Sequence, residues 1–262
     1  MFGNCGGLDM GDMKYALLFT RASSEYMTNA LVTPTNHRKF TISVWLKRSS
    51  IGTFQAILND QYTSNAGSLY FLDSNSIQFD IQDTVTVRSI ATSAAYTSTS
   101  AWMHIVAVCD TTSATSTITG TSTDRMRLYV DGSQITSFNP ASPFPPALNY
   151  SPTMNNSGNT HYLGRHAIAS PSYYLDASIA RFVFLDGQAL DADAFGRRNA
   201  AGAWISKTVS EIASLANGTG ANNAMLEFND NSSTALLGND YSSKNNDYSV
   251  FSLSTSDRRI NF

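Results

Sequence analysis

Hydrophobic and polar residues alternate along much of this chain with the period of two that marks strands lying on a core. In "KFTISVWLKR", Phe40, Ile42, Val44 and Leu46 share one face, with Thr41, Ser43, Trp45 and Lys47 on the other. "SIQFDIQD" alternates Ile77, Phe79 and Ile81 against Gln78, Asp80 and Gln82. "DRMRLYVDGSQI" sends Met126, Leu128 and Val130 inward and Arg125, Arg127 and Tyr129 outward. Each predicts a strand with one wet face. The Asp131-Gly132 step predicts a hairpin, because a type I′ turn needs positive φ at both central residues. Two segments break the alternation. "WMHIVAV" and "SIARFVFL" carry apolar residues at successive positions, so both faces need cover and these strands belong in the interior of a sandwich.

Helical signals are few. "LDADAF" predicts a short helix whose first turn holds Asp191 and Asp193, which complement the helix dipole. "SKTVSEIASL" predicts another that is short and weakly amphipathic. Two stretches read as loops. Residues 110–124 form a Ser/Thr tract suited to an exposed hairpin loop. Residues 138–160 hold five of the seven prolines, with Phe138, Phe144 and Tyr150 interleaved. Proline removes ladder donors, so this is no central strand. It is either an ordered crossover loop or a stiff apolar arm that carries those three aromatics to a neighbouring subunit. The C-terminal stretch adds two strand candidates around a polar turn region.

Composition narrows the function classes. With 42% apolar and 14% charged residues among 262, the chain can build a core while exposing Ser, Thr, Asn and Gln on its strands. A net charge of −3 gives no pull on nucleic acid or anionic lipid. Cys5 and Cys109 do not make a disulfide scaffold, and Cys109 reads as a small buried hydrophobe. The N-terminal residues lack the basic and apolar regions of a signal peptide, and no apolar run approaches the ~20 residues of a spanning helix.

The segments "ALLFTRASSEYM", "KFTISVWLKRS", "AWMHIVAVCDTT", "DRMRLYVDGSQIT", "NTHYLGRHA" and "YLDASIARFVFLDGQALDADAFG" occur in an order that resembles the concanavalin A-like lectin/glucanase superfamily in its laminin G-like form. The ending "FLDGQALDADAFG", a Trp segment and then "LGNDYSSKNNDYSV" is similar to a set of bacteriophage virion proteins. The resemblance implies an all-β fold: a two-sheet antiparallel jelly-roll sandwich with little helix. It implies a leader over 1–13, the laminin G-like sandwich over 14–200, and a C-terminal extension over 201–262 that completes or packs on it. It also implies location in a virion, as a capsid decoration or a tail- or fibre-associated component. The expected partners are other virion proteins and further copies of the chain, with a host surface glycan as an option, and neither nucleic acid nor inserted membrane.

Candidate chemistry is sparse. A glycosidase sets two carboxylates ~5–9.5 Å apart across the scissile bond. Glucanases of this superfamily draw them from an E-x-D-x-x-E strand, and Glu25, Glu211 and Glu227, the three glutamates, begin no such run. Calcium needs six to eight oxygens. Asp230, Asp240 and Asp247, with Asn231 and Asn246, are candidates, although Asn/Asp-rich turns also arise for backbone reasons. Arg181 stands where many relatives carry an acid, which argues against a metal that depends on that position. His37, His104, His161 and His166 lack metal spacing, and His161 and His166 fall on opposite sides of a strand. Trp45 and Tyr129 lie opposite the core-facing positions, either as stacking platforms for a carbohydrate or packed under a loop. The expected function is therefore a non-enzymatic virion structural module without a cofactor (calcium optional). The alternative is a lectin for host receptors, and a glycoside hydrolase is the remote one.

Overall fold

In the computed structural model, which describes residues 12–61, 67–114, 124–139, 145–167 and 173–260, the alternating segments pair into two antiparallel sheets. The first strands along the chain are β1 (Tyr15–Phe19), β2 (Tyr26–Ala30), β3 (Lys39–Arg48), β4 (Gln55–Gln61), β5 (Ser68–Phe71) and β6 (Ile77–Gln82). Next come β7 (Val87–Ala91), β8 (Met103–Asp110), β9 (Met126–Val130), β10 (Ser133–Gln134), β11 (Thr160–Leu163) and β12 (Ala177–Asp186). The last are β13 (Gly196–Arg198), β14 (Trp204–Ser206), β15 (Ala224–Leu226), β16 (Ser249–Phe251) and β17 (Arg258–Ile260), with the helix α1 (Val209–Ala216) between β14 and β15. Sheet A has the order β10-β9-β8-β3-β12-β1-β17, with β15 also on β12; sheet B has the order β16-β2-β11-β4-β5-β6-β7. Residues from 201 onward thus enter both sheets.

The expected inward phases fill the space between the sheets. Phe40, Ile42, Val44 and Leu46 meet Leu69, Phe71, Ile77, Phe79 and Ile81, all fully buried. Phe40 packs edge-on to Phe79 across that space, with ring centroids 6.3 Å apart. Cys109 is a free thiol in this core. Asp131 and Gly132 have φ of 48° and 78°, as the β9–β10 hairpin requires. No helix among the described residues is long and apolar enough to cross a membrane.

The outer face of sheet A departs from the sequence expectation. Thr41, Ser43 and Trp45 are buried rather than wet, as are Arg125 and Tyr129. Arg125 is held by the Ser113 and Pro146 carbonyls, and a second apolar layer covers the rest. Val106, Val108, Tyr129, Val183, Leu185 and Met225 pack under Ala192 and Phe195, from the turn at Ala192–Ala194 and its cap, and under Ile212 and Ala216 of α1. This layer explains why β8 and β12 are apolar on both faces. Thr41 and Ser43 beneath it are paired: the Thr41 hydroxyl donates to the Gln188 carbonyl at 2.8 Å and accepts from the Leu190 amide at 2.9 Å, and Ser43 bonds His104 at 2.8 Å.

Three carboxylates lock the layer down. A bulge at Ala180 lets Ile179 and Phe182 both face inward and turns Arg181 outward beside Trp45. Its buried guanidinium takes both Glu227 oxygens, the Ser206 hydroxyl at 2.6 Å and the Lys207 carbonyl at 2.9 Å. Asp12 accepts from Arg181 at 3.2 Å and from the Val209 amide at the start of α1 at 2.6 Å. At the strand's end, buried Asp186 accepts from the amides of Thr35, Asn36, Ala221 and Asn222 and from the Asn155 side chain. One carboxylate thereby anchors three loops, because buried N–H groups left without acceptors are costly.

Candidate functional site

The outward phase of sheet B is polar, partly exposed on β2, β6, β11 and β16 and buried at Asn59, Ser68 and Ser89. Its register aligns Ser249, Thr28, Tyr162, Asn59, Ser68, Asp80 and Ser89 in one row across all seven strands. Every member carries a hydroxyl, amide or carboxylate. The next row brings Ala56, Tyr70 and Gln78 side by side. Tyr70 is held in place: its hydroxyl donates to Asp80 Oδ2 at 3.0 Å, while Gln78 Nε2 donates to Asp80 Oδ1 at 2.8 Å and to the Tyr70 oxygen at 2.5 Å. Burial pushes the Asp80 carboxyl above the usual range, opposed by hydrogen bonds from Ser89, Gln78 and Tyr70. Burial likewise raises the Tyr70 phenol, so it stays a donor at neutral pH.

Beside this network, Phe54, Gln55, Ala56, Tyr70, His166 and Tyr173 line a cleft of 160 Å³. Phe54 stands between Tyr173 and Tyr70, at centroid distances of 5.1 and 6.4 Å. His166 meets Tyr173 edge-on at 5.8 Å. Burial, and then neighbouring Arg165, lower the His166 pKa and favour the neutral ring. Arg165 lies over Tyr26 at 4.7 Å and Tyr162 at 5.3 Å, and Tyr26 stacks on Phe251 at 4.6 Å. The open sheet thus offers aromatic faces next to donors and acceptors whose positions are already fixed.

A family model described as the concanavalin A-like lectin/glucanases superfamily, in its laminin G form, matches residues 21–194. The chain belongs to this laminin G-like family. Among curated proteins none matches it. Similar folds include a putative carbohydrate binding protein from Bacteroides ovatus, 11% identical with a TM-score of 0.51, the match covering 94% of this chain and 60% of that one. A native heptameric SAP-like pentraxin from Limulus polyphemus is 12% identical with a TM-score of 0.48, covering 69% and 79%. The Ruminococcus gnavus IT-sialidase CBM40 is 14% identical with a TM-score of 0.47, covering 70% and 96%. At 11% identity the likeness to the Bacteroides ovatus protein speaks for the fold alone.

The laminin G-like fold distributes the sequence candidates differently from expectation. Of the two positions open to Trp45 and Tyr129 they take the covered one, at 3% and 7% exposure, and offer no exposed platform. Asp230, Asp240 and Asp247 do not form a metal cage. Asp240 caps the amides of Met225, Ser242 and Asn246, Asp247 caps Asp240, and Asp230 caps Ser232. Among the described residues no group of three or more His, Cys, Asp or Glu is placed to hold a metal. Phe138 and Tyr150 are not projected toward a neighbour but turned into their own core, the Tyr150 hydroxyl accepting from the Asp83 amide at 2.7 Å. Phe144 lies outside the described residues, as do Cys5 and most of the leader and the Ser/Thr tract. Asp191 forms an ion pair with Arg127 at 3.0 Å rather than capping its turn.

Sequence reasoning placed Gln78 and Asp80 on the wet face but passed over Phe54, Tyr70, Arg165 and Tyr173. Tyr70 had a usable signal: it occupies the polar phase of "SLYF", between core residues Leu69 and Phe71. The others sit in connecting segments, where no periodicity assigns a face.

Proposed function

We propose that this protein is a non-catalytic carbohydrate-binding module that holds a glycan on the outer face of sheet B. One observation carries the reading: the Phe54–Tyr70–Tyr173 cleft opens beside the interlocked Tyr70, Gln78 and Asp80 groups. Ring faces with a few fixed polar groups are the usual make-up of a small-ligand site. Hydrolysis is not part of the proposal. Among the outward residues of the described sheet B strands the one carboxylate is Asp80, and glycosidases use a pair. Nor is a metal, since the aspartates near the C-terminus are engaged with backbone amides. The motif resemblance to phage proteins supports a setting for this binding: a virion surface, where copies of the module would tie the particle to neighbouring subunits and to host glycans.

A glycan array probed with the purified protein, with and without chelator, tests this. The expected result is a defined set of bound glycans, unchanged by chelation, with roughly tenfold weaker affinity in Tyr70→Ala and in Tyr173→Ala. A blank array, or binding that both variants retain in full, would overturn it.

A further inference from the structure

All three tryptophans of the chain, Trp45, Trp102 and Trp204, line a single cleft of 320 Å³. It lies on the outer side of sheet A, away from the sheet B cleft, and its mouth carries Asp131, Ser133 and Arg198. The rings are tightly positioned. A Cβ at Gly132 or at Gly196 would lie 2.4 Å from the Trp204 indole, so only glycine admits the ring at either place. Trp204 Nε1–H donates to His104 Nδ1 at 3.0 Å, which makes the other imidazole nitrogen the donor to Ser43 Oγ at 2.8 Å. His104 stacks nearly parallel on Trp45, 4.7 Å between centroids. Lys47 lies over Trp102 at 5.3 Å.

Two features set this cluster apart from ordinary core packing. It borders an open cavity of the size that small ligands occupy. In its wall, Trp45 is 3% exposed, and its buried Nε1–H has no acceptor among the described residues. Buried indole N–H groups usually find one. Asp131 and Arg198 place an acceptor and a cationic donor on the same rim, both exposed. A sugar hydroxyl can both donate and accept, and the C–H face of a pyranose matches an indole plane. A simple anion would meet Asp131, and a simple cation Arg198.

We infer that this tryptophan cleft is a second binding site, for a single pyranose unit, on the face of the sandwich opposite the sheet B site. With two such faces one module can bridge two glycan chains. The inference does not depend on the sheet B reading, and its readout is separate, because every tryptophan reports on this cleft while the sheet B cleft has none.

The test is a titration of the full chain with methyl glycosides of glucose, galactose, mannose, N-acetylglucosamine and glucuronic acid. It is followed by tryptophan emission and by the three indole N–H resonances. The expected result is a saturable emission change and indole shifts with at least one of them. Arg198→Ala should weaken it about tenfold, and Ala203→Leu, which fills the cleft, should abolish it. Tyr70→Ala should leave it intact, and circular dichroism should confirm that each variant is folded. Silence of the indoles toward the whole panel, or a response that survives Ala203→Leu, overturns the second site even where the array shows binding at sheet B.

Discussion

The two outer faces of this sandwich start from similar strand patterns and end in opposite roles. On sheet A the outward residues of β3, β8, β9 and β12 are buried under α1, the Ala192–Ala194 turn and the β13–β14 hairpin. On sheet B the outward residues of β2, β6 and β11 remain half-buried and polar, with tyrosines among them. The cover is what differs. Alternation along a strand sets which side chains share a face, but a later segment of chain decides whether that face becomes core or surface. In this protein the segment from residue 190 onward makes that decision for sheet A, and it leaves open the cleft edged by the tryptophans.

The most severe way to break the contrast is to remove the pin that holds the cover down. Arg181 and Glu227 are 2% and 7% exposed and share a two-point contact. Arg181→Ala leaves a buried carboxylate without its cation, and a loss of about 3–5 kcal/mol in urea unfolding is expected. The double variant Arg181→Met with Glu227→Leu should recover most of that, since neither charge is then stranded. A single variant within 1 kcal/mol of wild type would show that the cover is held by its apolar contacts alone. Nothing on the outer face of sheet B should respond on this scale.

Much of the fold was legible before any coordinates. The inward phases of β3, β6 and β9 and the Asp131-Gly132 turn are all where alternation and turn chemistry put them. The two-sided apolar strands β8 and β12 correctly announced a covered sheet. What covered it was not legible, because α1 is short and its partners lie far away in sequence. For the same reason Trp45 stayed open between platform and packed residue: its phase was right, but the β14 segment that buries it gives no local signal in β3. Phe138 and Tyr150 stayed open, as part of an ordered loop or of a docking arm, for a different reason. Proline excludes a stretch from a central strand but does not say whether its aromatics turn in or out. Of the candidate site, only the polar phase holding Gln78 and Asp80 could be read. Phe54 and Tyr173 lie outside the strands, and only the fold brings them together.

Acid should also separate the faces. Burial holds the His104 pKa down to about 3, with nearby Arg181 adding to the effect, so the folded protein refuses a proton that the unfolded chain takes up near 6.5. As pH falls through that interval this histidine costs about 1.4 kcal/mol of stability per unit. His161, lowered to about 4 by burial, acts in the same direction, and Asp60, raised to about 7 by burial, acts in the opposite one. The comparison that isolates His104 is therefore His104→Gln, which retains one donor and one acceptor for Ser43 and Trp204. The stability margin of wild type over this variant should shrink by about 1–1.4 kcal/mol for each unit between pH 6 and pH 4. A constant margin would mean that His104 is protonated beneath the cover, and that water reaches the sheet A face after all.

The smallest effect gives the sharpest reading, because it uses the same pair of side chains in both directions. Valine and threonine have nearly the same shape and differ in whether a hydroxyl must be satisfied. Val108 is fully buried on the outer face of sheet A, between Thr41, whose hydroxyl is engaged by Gln188 and Leu190, and Arg127, which is engaged by Asp124 and Asp191. Val108→Thr adds a buried hydroxyl beside polar neighbours that already have their partners, and a loss of about 1–2 kcal/mol is expected from urea or thermal unfolding. Thr28 occupies the equivalent outward phase of β2 on sheet B, half-buried and in line with Ser249 and Tyr162. Thr28→Val should move stability by no more than about 0.5 kcal/mol, because water can still reach its surroundings. Equal costs at the two positions would mean that sheet B is as dry as sheet A. An outer face that dry has no room for a glycan, so this pair of conservative variants tests the proposed site without any ligand.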